Sequence, residues 1–386
     1  MKAFEMIFSR IPFSLFLARI LYTINWFNIS SIFYFISQDF NLDISSLGLI
    51  TTSFIIGVGI FQVPAGILVA KFGASKVGVF GILFSSSMVV ISGLLQDITQ
   101  IAILRFLVGA GMACFFGPSV TLISRFLGEK NTGLGIGILN SAHAIGALLG
   151  IFGWVGLTEI FGWRWSIIFG GVGGIIIAIF MEIYLISDFK LRVKVEINEI
   201  KKVLLNRSLI TLGISLLGFQ TGAALTLTFM VIYLIEKINV EPILAGFFGS
   251  LSLITGIVVS PLFGRMYDKI KDTKKLLFFS AVICACSIML LYIDSIYIVI
   301  FSILVSGIFL SMGFVVIYAK AKQDYGIKAQ YQTLSVCFVN GISLSASFWI
   351  PVMFSYAVTE YGYNIAWFLA GIVIILLSLP LLKLKT

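Results

Sequence analysis

The chain reads as a succession of long apolar runs broken by short polar turns. It lacks the one-faced alternation of helices that sit on a soluble core. Taken as helices, the runs cover roughly residues 12–36, 44–70, 77–95, 101–123, 133–157, 164–186, 208–235, 243–265, 275–293, 296–319, 331–357 and 363–382. A run of about 18 or more apolar residues is long enough to cross the hydrocarbon of a bilayer. Helices and closed barrels alone satisfy every backbone group in lipid, and these runs are too long and too uniform for barrel strands. The pattern predicts an all-α membrane protein with 12 transmembrane helices.

One connection departs from this rhythm. Residues 187–207 are hydrophilic, yet Val193, Ile197, Ile200 and Leu204 keep helical spacing, with Lys194, Lys201, Lys202 and Arg207 elsewhere around the wheel. This predicts an amphipathic helix lying against anionic lipid. It divides the chain into residues 1–186 and 208–386, with six runs in each part. The parts echo one another. Residues 66–76 read GILVAKFGASK and residues 264–275 read GRMYDKIKDTKK, which sets Gly66 and Gly264, Lys71 and Lys269, and Lys76 and Lys274 each 198 positions apart. The same offset carries Gly48 onto Gly246.

Composition narrows the class. The 386 residues are 59% hydrophobic and 11% charged, which excludes a soluble protein of this length. The net charge of +9 does not indicate nucleic acid, because the cations collect on one side of the predicted membrane. Lys2, Arg10, Lys71, Lys76, Arg125, Lys130, the 190–207 linker and the basic residues from Arg265 to Lys275 share that side with Lys320, Lys322, Lys328, Lys383 and Lys385. Arg164 and Lys237 alone fall opposite. Both termini are therefore expected in the cytoplasm, in a multi-pass protein of the plasma membrane. Cys114, Cys284, Cys286 and Cys337 lie inside predicted spans, so no extracellular disulfide framework is implied. With one histidine and no metal-ligand spacing, neither a metal nor a cofactor is expected.

Candidate chemistry lies in polar residues within the runs. In the first, Arg19, Tyr22, Thr23, Trp26 and Ser30 share one helical face, while Asn25 and Asn28 lie on another. Two readings of Arg19 stand: it snorkels or pairs structurally, or it faces a cavity. Asn25 is nearer mid-membrane, where an unpaired amide costs more. Arg105 shares a stripe with Gly109, Met112, Phe116 and Ser119, as a packing stripe or a cavity face. His143 lies about 15 Å from the basic end of the fifth run at about 1.5 Å per residue. It is either a hydrogen-bonded packing residue or a proton carrier. Gln220 and Asn340 complete the set as mid-span amides in the seventh and eleventh runs.

These residues resemble the major facilitator superfamily of secondary transporters. The likeness rests on six plus six runs, the long linker and a Gly-x-x-x-Asp-Arg-type signature after runs two and eight. Gly264-x-x-x-Asp268-Lys269 keeps the aspartate, whereas Gly66-x-x-x-Ala70-Lys71-x-Gly73 replaces it with alanine. Arg105-x-x-x-Gly109-x-Gly111 is similar to the family's fourth-span motif, and Gly162-Trp163-Arg164 to its fifth-to-sixth connection. The resemblance implies two six-helix bundles rocking about a central solute site. It also implies a cytoplasmic gate at Gly66, Lys71, Gly73, Lys76, Gly264, Asp268 and Lys269. A carboxylate near a helix N-terminus is favoured by the macrodipole, so bracing is expected mainly from the half that keeps Asp268. The site residues expected are Arg19 or Arg105 as charge partner, with Asn25, His143, Gln220 and Asn340 as polar contacts. Together they imply a permease for a small polar, anionic solute, with a monomer as the expected state. A drug/proton antiporter is the alternative, but Gly146-x-x-x-Gly150-Ile151 lacks the proline of the family's antiporter motif. A transporter-like membrane sensor ranks below it, and no enzyme is expected.

Overall fold

The computed structural model of the chain describes residues 9–40, 44–185, 195–270, 273–323, 326–344 and 349–384. Among these, all regular structure is helical. The N-terminal part comprises α1 (Arg10–Ser31), α2 (Phe33–Phe40), α3 (Ile44–Phe72), α4 (Ala74–Leu94) and α5 (Ile98–Leu127). It continues with α6 (Thr132–Leu148), a π-helical turn at Leu149–Gly153, α7 (Trp154–Phe161) and α8 (Trp163–Leu185). A short helix, α9 (Ile197–Leu204), precedes α10 (Arg207–Glu236), α11 (Pro242–Lys269), α12 (Thr273–Met289), α13 (Ile296–Lys322), α14 (Gln332–Leu344) and α15 (Ile350–Ser378). Asn206, which fits a glycosylation pattern, instead caps α10 by accepting from the N–H groups of Ser208 and Leu209 at 2.8 and 3.2 Å.

Ten segments among the described residues are long and apolar enough to cross a membrane. One place differs from the expected runs. The first run is not one helix: it breaks at Ile32, beyond a helix loaded with Arg19, Asn25 and Asn28, and resumes as α2. The last two expected runs, 331–357 and 363–382, are separated at Gly362, whose φ of +79° breaks the helical path inside α15; residues 345–348, between α14 and α15, lie outside the described residues. The expected boundary at 186/187 falls outside the described residues.

Packing follows the internal repeat. α3 lies along α5, α4 against α5 and α8, and α1 against α6 and α8. In the second part α11 and α12 pack on α13, and α10 and α12 on α15. Two seams join the parts, α3 with α14 and α6 with α11. α5 is the most enclosed span, with 89% of its most apolar stretch inside the protein against 28–56% for the other nine. Large apolar side chains such as Ile160, Ile183, Ile243 and Val258 stand outward, as a lipid-facing surface requires.

The repeat is visible as geometry at the end opposite the basic turns. Gly162 and Gly362 both take positive φ, +81° and +79°, a conformation glycine adopts without steric cost. Each is followed by an aromatic and a donor. Arg164 donates to the Leu95 carbonyl at 2.6 Å and to Asp39 at 2.9 Å. Asn364 donates to the Tyr292 carbonyl at 2.7 Å and to Asp294 at 2.9 Å. In both parts the donor ties the start of one helix to the end of a neighbour and to one carboxylate.

α9 is docked by charge as well as by apolar contact. Glu199 and Val203 are buried and Ile200 packs on the core, whereas Ile197 is 70% exposed; Val193 lies outside the described residues. Lys328 reaches Glu196 at 3.1 Å and Glu199 at 3.3 Å, Lys202 reaches Glu199 at 2.8 Å, and the Glu196 N–H donates to the Tyr331 hydroxyl at 2.8 Å. The Lys202 hydrogen bond, aided by Lys328, holds the Glu199 carboxyl below its ordinary 4.5. A depressed carboxylate pKa gives docking that is complete above the free value and lost as pH falls through the bound one. A spin label at Ile197 should therefore be immobile at neutral pH and loosen as pH drops below 4.5, and K328Q should loosen it at neutral pH. Unchanged mobility in both cases would sink the docking role.

Candidate functional site

The polar residues of α1 face three ways, and each way has a different fate. Asn25 and Asn28 turn to α8: Asn25 donates to the Gly170 carbonyl at 3.1 Å and accepts from Asn28 at 3.1 Å. Thr23 turns to α6, with its hydroxyl 2.9 Å from the Arg19 carbonyl and 3.0 Å from His143 Nδ1. With the hydroxyl hydrogen given to that carbonyl, the ring must donate through Nδ1, which leaves Nε2 as an acceptor. His143 itself is half-buried.

Arg19 takes the third direction, inward. Its guanidinium lies 4.7 Å from the Tyr22 ring centre and 4.6 Å from that of Phe116 on α5. It is 7% exposed, and both Nε and Nη1 are buried with no hydrogen-bond partner. Among the described residues no carboxylate forms an ion pair with it. Phe116 stacks edge-on to Tyr318 of α13 at 4.7 Å, and the Tyr318 hydroxyl donates to Asn340 Oδ1 of α14 at 2.6 Å. A continuous wall thus runs from the cation on α1 through α5 to the hydroxyl and amide of the second part.

Arg105 is placed differently. It is 2% exposed, donates to the carbonyls of Asn25 and Trp26 at 3.2 and 3.4 Å, and lies 4.4 Å from the Phe54 ring centre. Those carbonyls fix it between α1, α3 and α5, where it braces the helices; Asn25 is likewise tied by its amide to α8. Arg19, His143 and Asn340 are therefore brought to one region, while Arg105 and Asn25 sit in the packing beside it. Gln220, on α10, is half-buried and makes no polar contact with that wall. One member was not anticipated: Tyr318 carries no signal of its own in an apolar run.

The end of the bundle carrying Lys71, Lys76 and Lys269 is closed by the two seams. Asp268 of α11 accepts from the N–H groups of Gly133 and Leu134 at 2.8 and 3.0 Å. The residue at α6's own N-cap, Asn131, makes no side-chain cap, so α6 is capped by a carboxylate from the other part of the chain. Gly133 and Gly264 meet backbone to backbone, which leaves no room for a side chain on either. Above them Asn140 donates to Ser260 at 2.7 Å and Ser141 to the Ile257 carbonyl at 2.6 Å. The α3/α14 seam has the same closeness, since a Cβ at Gly66 would lie 2.7 Å from Leu334 Cα. It lacks the carboxylate: Ala70 is simply buried. Lys71, Lys76 and Lys269 are exposed, and Gly73, at φ +88°, ends α3 and starts α4.

The profile described as the Major Facilitator Superfamily matches residues 15–331 of the chain. The "Probable galactarate/D-glucarate transporter GudP" of Bacillus subtilis (strain 168) is 24% identical over 373 residues, covering 85% of this chain and 80% of the relative. The "4-hydroxybenzoate transporter PcaK" of Pseudomonas putida is 25% identical over 150 residues, covering 39% and 34%. The fold is similar to that of the E. coli fucose:proton symporter FucP, with a TM-score of 0.77 over 97% of this chain and 99% of that one. At 12% identity this likeness speaks for the fold alone.

Hydrogen bonds to a charged acceptor are worth about 1.5–3 kcal/mol, so losing the Asp268 pair should shift the seam towards its open state by about tenfold or more. Spin labels at the exposed Lys71 and Lys269 should report this as a longer distance population in D268A. A70D should have the opposite effect and deplete any long-distance population present in the wild type. Identical distance distributions in all three proteins would count against the carboxylate as the brace.

Proposed function

Since the chain belongs to the Major Facilitator Superfamily, we propose that it is a permease for a small anionic solute, moved by alternating access, with Arg19 as the charge that holds the cargo. The observation that carries this reading is a buried guanidinium with two unpartnered nitrogens and no ion pair to a carboxylate among the described residues. A charge in that position costs several kcal/mol to desolvate, and an anion of the right size relieves the cost while a cation adds to it. The names of the two relatives favour the same class: galactarate, glucarate and 4-hydroxybenzoate are all carboxylates. His143 Nε2, the Tyr318 hydroxyl and the Asn340 amide are the neutral groups available to the rest of the solute.

The finer architecture belongs to this proposal. Twelve spans form six-helix halves at 1–186 and 208–386, with both termini and the 187–207 linker in the cytoplasm on the Lys/Arg bias. The Asp268 seam is then the cytoplasmic gate. The exposed Lys201, Lys202 and Arg207 face anionic headgroups, and one copy of the chain suffices for transport.

Proteoliposomes loaded with unlabelled acid should take up labelled galactarate or 4-hydroxybenzoate by counterflow. R19Q should raise KM at least about 30-fold, the equivalent of about 2 kcal/mol for stripping a buried charge from its partner. R19K, which keeps the charge without the planar fork, should fall between. Wild-type kinetics in R19Q, at equal reconstitution, would remove Arg19 from the site.

A further inference from the structure

Gln62 lies in α3 with no exposed surface, and neither its Nε2 nor its Oε1 has a hydrogen-bond partner. Among the described residues no other side-chain amide is stranded at both atoms. A leucine or methionine would fill the same space without losing two hydrogen bonds to water, so packing alone gives no reason for an amide there.

Its surroundings supply a reason. The side chain runs across Gly341 of α14: a Cβ built at Gly341 would stand 3.3 Å from Gln62 Cβ and 3.8 Å from Cγ. The next residue, Asn340, takes the Tyr318 hydroxyl, Tyr318 packs on Phe116, and Phe116 lies under Arg19. Gln62 and Arg19 also stand at one depth. Counted from Phe72 and Arg10 at the basic end, they are about 15 and 14 Å in, at about 1.5 Å per residue. A stranded cation and a stranded amide therefore occupy one layer, linked by side-chain contacts that join through the Asn340–Gly341 backbone.

We propose that Gln62 determines specificity by hydrogen-bonding a hydroxyl of the solute whose carboxylate Arg19 holds. This inference rests on the anion-permease reading above. A carboxamide offers one acceptor and two donors and no charge, so it suits a hydroxyl, which gives and takes one hydrogen bond. It is a poor partner for a second carboxylate, which would call for another cation. The preferred cargo is accordingly a hydroxylated acid rather than a bare one. A site built to bond a hydroxyl rejects the analogue lacking it, because the amide is then left dry and unpaired.

Galactarate and adipate share one carbon chain and two carboxylates and differ in the hydroxyls. Their Kd values should be measured on the purified full chain for wild type, Q62L and R19Q, with the melting temperature of each unliganded protein. Wild type should prefer galactarate. In Q62L galactarate should weaken at least tenfold while adipate changes less than twofold, and the unliganded variant should melt no lower than wild type. R19Q should lose both acids. Undiminished galactarate preference in Q62L overturns the role of Gln62 and leaves the anion reading standing. Wild type that binds neither acid, or R19Q that binds both as wild type does, overturns that reading and this inference with it. If Q62L does not fold, Q62M, closer to glutamine in shape, gives the same readout.

Discussion

Hydrocarbon offers no hydrogen bonds, and that single constraint sorts the polar residues of this fold. A polar side chain between the helices either finds a partner in the protein or is stranded. Most are tied: Arg105 to two carbonyls of α1, Asn25 to α8, Asn140 and Ser141 to α11, and Thr121 to Thr333 at 2.6 Å. Those bonds fix helix to helix, and they explain why polar residues recur in spans that would be cheaper without them. Arg19 and Gln62 are each stranded at two side-chain atoms, whereas Asn28, Arg105, Trp154, Thr226, Ser302 and Trp367 are stranded at one among the described residues. Helix packing accounts for the tied group and does not account for Arg19 and Gln62.

The same constraint explains what the sequence could disclose. Run lengths, the basic turns and the 198-residue echo were legible because each is a property of spacing. The asymmetry of the two seams was legible too: a carboxylate at 268 and an alanine at 70 differ in kind, and Asp268 does cap α6 while Ala70 is simply buried. Arg19 and Arg105 were not separable. Each sits on a helical face, and a face does not say whether the neighbouring helix presents a ring or a free carbonyl. The Asn25 contact was hidden for the same reason, since its partner lies 145 positions away. Gly362-Tyr363-Asn364 repeats the clasp of Gly162-Trp163-Arg164 with a different donor, so letter matching missed what hydrogen bonding preserved.

The two seams show how closeness and bracing are separate properties. Glycines let backbones meet at both, Gly133 with Gly264 and Gly66 with Leu334. Van der Waals contact of this kind has little directional preference and is lost gradually as helices tilt. The Asp268 bonds are directional and charge-assisted, and they depend on the orphan N–H groups at one helix start, so they break over a short displacement. A seam holding both has a defined closed position; the Ala70 seam has closeness alone.

Arg19 poses the remaining energetic problem, a cation kept in a dry site without an anion. Two aromatic faces are its main neighbours. Each contact is worth about 2 kcal/mol or more when desolvated, which offsets part of a penalty of several kcal/mol. A carboxylate in place of Phe116 or Tyr22 would do this better, and would also cancel the positive charge. Ring quadrupoles stabilise the cation and leave its net charge uncancelled. The aromatic cradle is therefore an arrangement that holds a guanidinium inside a membrane protein without neutralising it.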